Sequence, residues 1–345
     1  MRAAVIHAPH DLRVEDVPEQ TFGADDVKVR IDAGGICGSD LHYYHHGGFG
    51  TVRIKEPMIL GHEIVGTVIA TGAHVTSVRT GDKVAVNPSL PCGVCRYCLD
   101  GHSNHCLDMR FYGSAMRTPH VQGGFREELV CAREQAIKLP PDVAITEAAF
   151  AEPLSVCLHA ARQAGPLLGK RVLVTGTGPI GALLIMVARQ AGAREIVTTD
   201  LLDPPLALAA KIGADRTINT RTNPTGLDVY AVDKGTFDVV FEAAGAAPAL
   251  AVAIAVARPG ATIVQVGNNA DATPPVPLNL LVAKEISLRG TFRFHEEFAW
   301  AVDFITSRRI DVRPLLTEIV PLADAVRAFD LATDRSRAMK VLLAF

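Results

Sequence analysis

From Lys170 onward, apolar runs short enough to be strands alternate with segments of helical periodicity. RVLVTG (171–176) precedes PIGALLIMVARQAGA (179–193) and EIVTTD (195–200). DVVFEAAG (238–245), a helical pattern near 247–257, TIVQVG (262–267) and EISLRGTF (285–292) continue the series. Strands that are apolar on both faces must be covered on both faces, which a parallel sheet between two helical layers achieves. This alternation confines the second half of the chain to a doubly wound α/β fold.

At the first strand-to-helix turn stands Gly176-Thr177-Gly178-Pro179-Ile180-Gly181. Such glycine spacing alone is a weak signal, but here it follows a strand and opens a helix, as dinucleotide binding requires. Gly176 permits the tight turn, Gly178 lets backbone approach a pyrophosphate, and Gly181 allows close helix–strand packing. Pro179 sits near the helix start, where a missing N–H costs least. The helix N-terminus, with Ile180 in its first turn, then offers unpaired N–H groups to phosphates. Asp200 ends the next strand, placed to accept hydrogen bonds from ribose hydroxyls. An acid there repels a 2′-phosphate, so the expected cofactor is NAD, with NADP a lesser possibility.

The first half has a different texture. Alternating runs such as VKVRIDA (27–33), EIVGTVIATG (63–72) and DKVAVNP (82–88) are separated by glycine clusters, which marks a β-rich region. Beyond Phe292 come two amphipathic helical patterns and a closing run, KVLLAF, while 220–235 carries loop chemistry. A chain of 345 residues exceeds one ordinary core and calls for two domains. With a net charge of -3 it has no basic field for nucleic acid. No apolar run approaches the roughly 18 residues of a membrane span. The N-terminus meets charge too soon for a secretory leader, so a cytoplasmic location is expected.

Of seven cysteines, Cys92, Cys95, Cys98 and Cys106 crowd together as C-x2-C-x2-C-x7-C. Four thiolates close a tetrahedral zinc site and leave no position for substrate, which is structural zinc chemistry. An iron–sulfur cluster would have a shorter step to its fourth cysteine, and a nucleic-acid zinc ribbon would need a basic surface. Cys131 and Cys157 read as small buried residues. A second constellation is scattered: Cys37 in GGICGSDLHYY, His62 and Glu63 in GHEIVGTVIATG, and Glu152 in AEPLSV. One Cys, one His and one carboxylate can hold zinc while keeping a position open. Taken singly, Cys37 reads better as a small core residue, and His42, His45 and His46 as solvated loop histidines.

Together these motifs, in this order, resemble the zinc-containing medium-chain alcohol and polyol dehydrogenases over essentially the whole chain. GHEIVGTVIATGAHV matches the family's zinc signature, with CGSDLH upstream and the four-cysteine lobe and GTGPIG downstream. AEPLSV and the His62-Glu63 pair resemble the sorbitol dehydrogenase branch. GGICGSDLHYY, NPSLPCGVCRYC, DMRFYGSAM, PHVQGGF and EISLRGTFRF resemble the L-idonate 5-dehydrogenases within it. Many mammalian sorbitol dehydrogenases lack the structural cysteines, so the chain departs from them there.

The resemblance implies a GroES-like catalytic domain from residues 1–152 and 292–345, with a structural-zinc lobe about 88–110, and a Rossmann domain at 153–291. It implies Cys37, His62 and Glu63 as catalytic zinc ligands, with Glu152 a direct or water-mediated partner, and Ser39 and His42 as a proton relay. Tyr43, beside the relay histidine, is expected to meet substrate hydroxyls. A sugar-acid substrate also needs a carboxylate clamp, for which Arg110 and Arg293 are the arginines in the shared segments. The expected activity is oxidation of a secondary alcohol of a sugar acid or polyol with hydride transfer to NAD, foremost L-idonate to 5-keto-D-gluconate. Sorbitol or xylitol oxidation is the alternative, and a non-catalytic NAD- and zinc-binding protein the alternative of a different class. A homo-oligomer, tetramer or dimer, is also implied.

Overall fold

The computed structural model describes residues 1–269 and 273–345. The chain divides into two compact units, one of residues 1–152, 295–334 and 340–345, the other of 153–294 and 335–339. Residues 292–294 therefore belong with the second unit, as does the short segment 335–339, whereas the resemblance implies all of 292–345 in the first. That short segment packs against the glycine turn and the end of the next strand, and neither neighbour is visible from its own composition.

The first unit is built on a seven-stranded sheet. Its long strands are Asp26–Gly35 and Glu63–Thr71, paired antiparallel with Gly35 opposite Glu63. Asp26–Gly35 also pairs with the closing strand Lys340–Ala344, in register Gly35 to Leu342. Alternation along Asp26–Gly35 buries Val27, Val29, Ile31 and Ala33. The period-2 pattern legible in VKVRIDA thus becomes one face of a core. Helix Gly38–His46 begins three residues after that strand ends.

The second unit carries a six-stranded, all-parallel sheet. Its spatial order is Arg216–Asn219, Glu195–Asp200, Arg171–Thr175, Phe237–Glu242, Ala257–Gln265 and Ser287–Gly290. Strand order reverses at Arg171–Thr175, the kind of switch point where open α/β sheets bind ligands. Leu173, Val197, Val240 and Ile263, one from each of four strands, join Phe237, Leu250 and Ile254 in one buried cluster. Helix Pro179–Gln190 follows the first strand and buries every residue from Gly181 to Ala188. Gly176 has φ +80°, and a Cβ on Gly181 would lie 1.9 Å from the Gly176 carbonyl oxygen, so both positions require glycine. Among the described residues no helix is long and apolar enough to cross a membrane.

Candidate active site

Cys37 is the N-cap of helix Gly38–His46, and its N–H donates to Asp40 Oδ2 at 3.0 Å. An acid at the third helical position closes the first turn in this way and fixes where the thiol points. Asp40 is fully buried, and its other oxygen accepts the Gly61 N–H at 3.2 Å and lies 3.7 Å from His62 Nδ1. One carboxylate thereby ties the Cys37 turn to the residue preceding His62 and stands behind the imidazole. A carboxylate in that position orients a ligating histidine and fixes which nitrogen faces a metal.

Glu63 opens its strand directly after His62. A Cβ on Gly35, its cross-strand partner, would lie 2.0 Å from Glu63 Oε2. Only glycine lets the carboxylate cross the neighbouring strand here. One donor atom from each of Cys37, His62 and Glu63 lies within 4.8 Å of the others. Among the described residues, His62 Nδ1 and both Glu63 oxygens are buried without a well-directed hydrogen bond. Glu63 instead forms an ion pair with Lys340, whose Nζ also donates to the Ile36 carbonyl at 2.9 Å.

Burial, and then the charge of Glu63, pushes the Cys37 thiol up to about 12. Burial likewise pushes Glu152 up to about 8, with His62 opposing and Glu63 and Cys37 adding to the rise. Both rises come first from burial, with the Lys340 charge working against them. Soft, intermediate and hard donors gathered within 4.8 Å of one another, with Glu63 Oε1 an unsatisfied buried acceptor, fit a zinc ion. Glu152 senses the charges of the other three but lies outside the mutually close set.

The second cluster has its own geometry. The thiols of Cys92, Cys95, Cys98 and Cys106 all lie within 4.8 Å of one another. Backbone N–H groups of Cys92 and Asp108 point at Cys106 Sγ at 3.2 and 3.3 Å. N–H donors from Leu107 and Cys98 bring Cys95 down to about 6. Peptide dipoles aimed at sulfur favour thiolates, and four thiolates at this spacing fit a closed zinc site.

The remaining predicted residues fall in different places. Ser39 and His42 lie three apart on helix Gly38–His46 and so share a face, with the His42 side on the exterior. His42 is held below its ordinary value of 6.5, first by desolvation and then by His46 and His45. Tyr43 is 1% exposed, and its hydroxyl accepts the Ala115 N–H at 3.0 Å. That placement makes it a core anchor for the loop at Ala115 and lends no support to a contact with substrate. Phe111 sets its ring 5.5 Å from the His62 ring. Arg110 precedes it in a strand and is exposed, so alternation turns the guanidinium away from the Phe111 side. Arg293 belongs to the second unit, with φ +53° and its guanidinium 4.9 Å from the Phe292 ring centroid.

In the second unit, Asp200 is buried and its carboxylate is crowded with donors. Oδ2 accepts the Thr177 N–H at 2.8 Å and Arg335 Nη2 at 2.5 Å, and Oδ1 accepts Leu201 N–H at 2.7 Å and Leu202 N–H at 3.1 Å. Asp40, Gly35, Lys340 and Arg335 were missed by sequence reasoning. Asp40 had a signal, an acid three residues after Cys37, and Lys340 had one too, a lone charge heading the apolar run KVLLAF.

Two family models match the chain: an alcohol dehydrogenase GroES-like domain over residues 23–141, and a zinc-binding dehydrogenase over residues 179–307. L-idonate 5-dehydrogenase (NAD(P)(+)) of Escherichia coli K12 is 43% identical over 331 residues, 95% of each chain. Sorbitol dehydrogenase of Gallus gallus is 36% identical over 99% of this chain and 95% of its own. The crystal structure of the E. coli L-idonate 5-dehydrogenase superposes with a TM-score of 0.94 at 41% identity, covering 100% of this chain and 98% of that one. With the two donor clusters and the glycine turn in place, these matches identify the chain as a member of the zinc-containing medium-chain alcohol and polyol dehydrogenases, in the sorbitol dehydrogenase-like branch, which work with zinc and NAD(P).

Proposed function

We propose that the protein oxidises a secondary alcohol of a sugar acid to a ketone, L-idonate to 5-keto-D-gluconate, with the hydride passing to the nicotinamide cofactor. The convergence of Cys37, His62 and Glu63, the last two buried, carries the reaction class. Likeness to the E. coli L-idonate 5-dehydrogenase over 95% of the chain supports the substrate.

Cys37, His62 and Glu63 are the residues to hold catalytic zinc, with Glu152 a direct or water-mediated partner. Cys92, Cys95, Cys98 and Cys106 hold a structural zinc. Zinc with three protein ligands supplies a Lewis acid with one open coordination position, and the nicotinamide supplies a hydride acceptor. Asp40 and Gly35 fix the donor set. Gly176, Gly178, Pro179, Ile180 and Gly181 present the turn and helix start to the pyrophosphate, and Asp200 faces the ribose. Ser39 Oγ takes up the proton leaving the alcohol and hands it to the His42 imidazole. His42 is held below its usual range and is therefore neutral and ready to accept at neutral pH.

Arg110 and Arg293 remain the arginines proposed to clamp a substrate carboxylate. The outward placement of Arg110 favours a second reading, oxidation of a neutral polyol such as sorbitol or xylitol. A panel of L-idonate, D-gluconate, 5-ketogluconate, sorbitol and xylitol, followed at the reduced-cofactor absorbance, separates the two. Turnover confined to neutral polyols sinks the sugar-acid reading. Full turnover by Cys37→Ser sinks the catalytic metal assignment.

A further inference from the structure

The acid at position 200 looks, from sequence, like a discriminator for NAD. It works as one only if its carboxylate is free to accept from the ribose hydroxyls and its charge stands uncompensated. Neither condition holds. A carboxylate offers about four acceptor positions, and Asp200 already receives four donors, from Thr177, Leu201, Leu202 and Arg335. Three are backbone N–H groups fixed by the glycine turn and the strand end. Arg335 alone is a side chain that can leave.

The guanidinium also covers the glycine turn. Its Nε and Nη2 lie 3.8 Å, and its Cζ 3.9 Å, from where a Cβ on Gly178 would stand. The Arg335 side chain is 45% exposed while that of Asp200 is 2% exposed, so the cation faces outward from a buried anion. The next acid, Asp203, is occupied by Asn219 Nδ2 at 2.6 Å. The pocket edge that an adenosine ribose would meet thus presents a cation in front of the acid.

We propose that Arg335 is the residue that admits NADP beside NAD: it cancels the Asp200 charge and turns its outward N–H groups to the 2′-phosphate. With NAD, the ribose hydroxyls displace Arg335 from Oδ2 and Asp200 accepts them instead. With NADP, the guanidinium stays between carboxylate and phosphate and bonds both. A planar guanidinium suits a phosphate better than any other side chain. This inference rests on the reading of the glycine turn as a nicotinamide-cofactor site.

The test is binding of NADH and NADPH to the purified zinc-loaded protein, followed by cofactor fluorescence, with 2′,5′-ADP and 5′-AMP as displacing probes. Arg335→Gln is expected to weaken NADPH and 2′,5′-ADP by about tenfold or more, and NADH and 5′-AMP by less than about threefold. Arg335→Lys keeps the charge and is expected to fall between. Circular dichroism establishes that both variants are folded. Equal weakening of NADH and NADPH assigns Arg335 to the shared pyrophosphate and overturns the proposal, as does no change in either. Wild-type protein that binds NADH but not NADPH also overturns it. Failure to bind either cofactor removes the dinucleotide reading itself.

Discussion

The Lys340 ammonium is ion-paired with the Glu63 carboxylate at the bottom of the metal-binding set, and both side chains are almost wholly buried. Lys340 heads the closing strand, and its Nζ is held from the other side by the Ile36 carbonyl. Burial works against the lysine's charge, but Glu63 and then Cys37 outweigh it and raise Lys340 above its usual range. Glu63 therefore answers to Lys340 within the chain and, under the proposed assignment, to zinc as a second cation.

Replacing Lys340 with Met separates them. In protein stripped of metal, Lys340→Met leaves Glu63 as a buried charge without its partner, at an expected cost of about 3–5 kcal/mol. With zinc bound, the dication compensates Glu63 and the cost should be clearly smaller. Urea denaturation of both forms measures the difference. Equal losses would mean that Glu63 does not face the metal.

Gly35→Ala tests the same corner from the strand beside it. The added methyl would meet Glu63 Oε2 at 2.0 Å and Lys340 Cε at 3.0 Å, so the carboxylate or the strand must move. Overpacking of this kind costs about 1–3 kcal/mol. Since only one donor set is disturbed, zinc content by atomic absorption should fall from two ions per chain toward one, with NADH binding intact. Retention of both ions would show that Glu63 is dispensable to the site.

The four-cysteine lobe should behave differently. Cys106 draws N–H groups from Cys92 and Asp108, so its sulfur is an organising point of the lobe. Cys106→Ser is expected to lose one zinc and lower the melting temperature by roughly 5–10 °C. Turnover measured well below that melting range should stay within about threefold of wild type. A loss of turnover as complete as that of Cys37→Ser would move this lobe into the chemistry.

What the sequence disclosed follows from range. The turn at Gly176–Gly181 and the four-cysteine lobe are local, so spacing alone exposes them. Strands such as Arg171–Thr175 and Glu195–Asp200 are rich in β-branched residues around an apolar centre and announce themselves. Arg216–Asn219 is not legible because it is four residues long and nowhere fully buried. Gly35 and Arg335 act on partners far along the chain, and nothing in their own neighbourhood marks them; Lys340 is marked only as a lone charge heading KVLLAF, without its partner Glu63. Tyr43 was read by adjacency to His42, but successive helical residues point about 100° apart. The turn that exposes His42 sends Tyr43 into the core.

His42 supplies a pH prediction whose sign can be worked out. As acceptor of the proton leaving the alcohol it must be neutral, so kcat/KM for oxidation rises with pH through the His42 titration and levels above it. Desolvation, with His46 and His45 adding to it, holds that titration below 6.5, and the acid limb should therefore lie below the ordinary histidine range. In the reverse direction the imidazolium donates, so ketone reduction gains on the acid side. His42→Asn should lower oxidation about tenfold to a hundredfold near neutrality and flatten the limb, with partial rescue by imidazole buffer. His46→Gln removes a repelling neighbour, which lets the His42 value rise and moves the limb upward in pH. An acid limb unmoved by either substitution would place the proton's exit elsewhere.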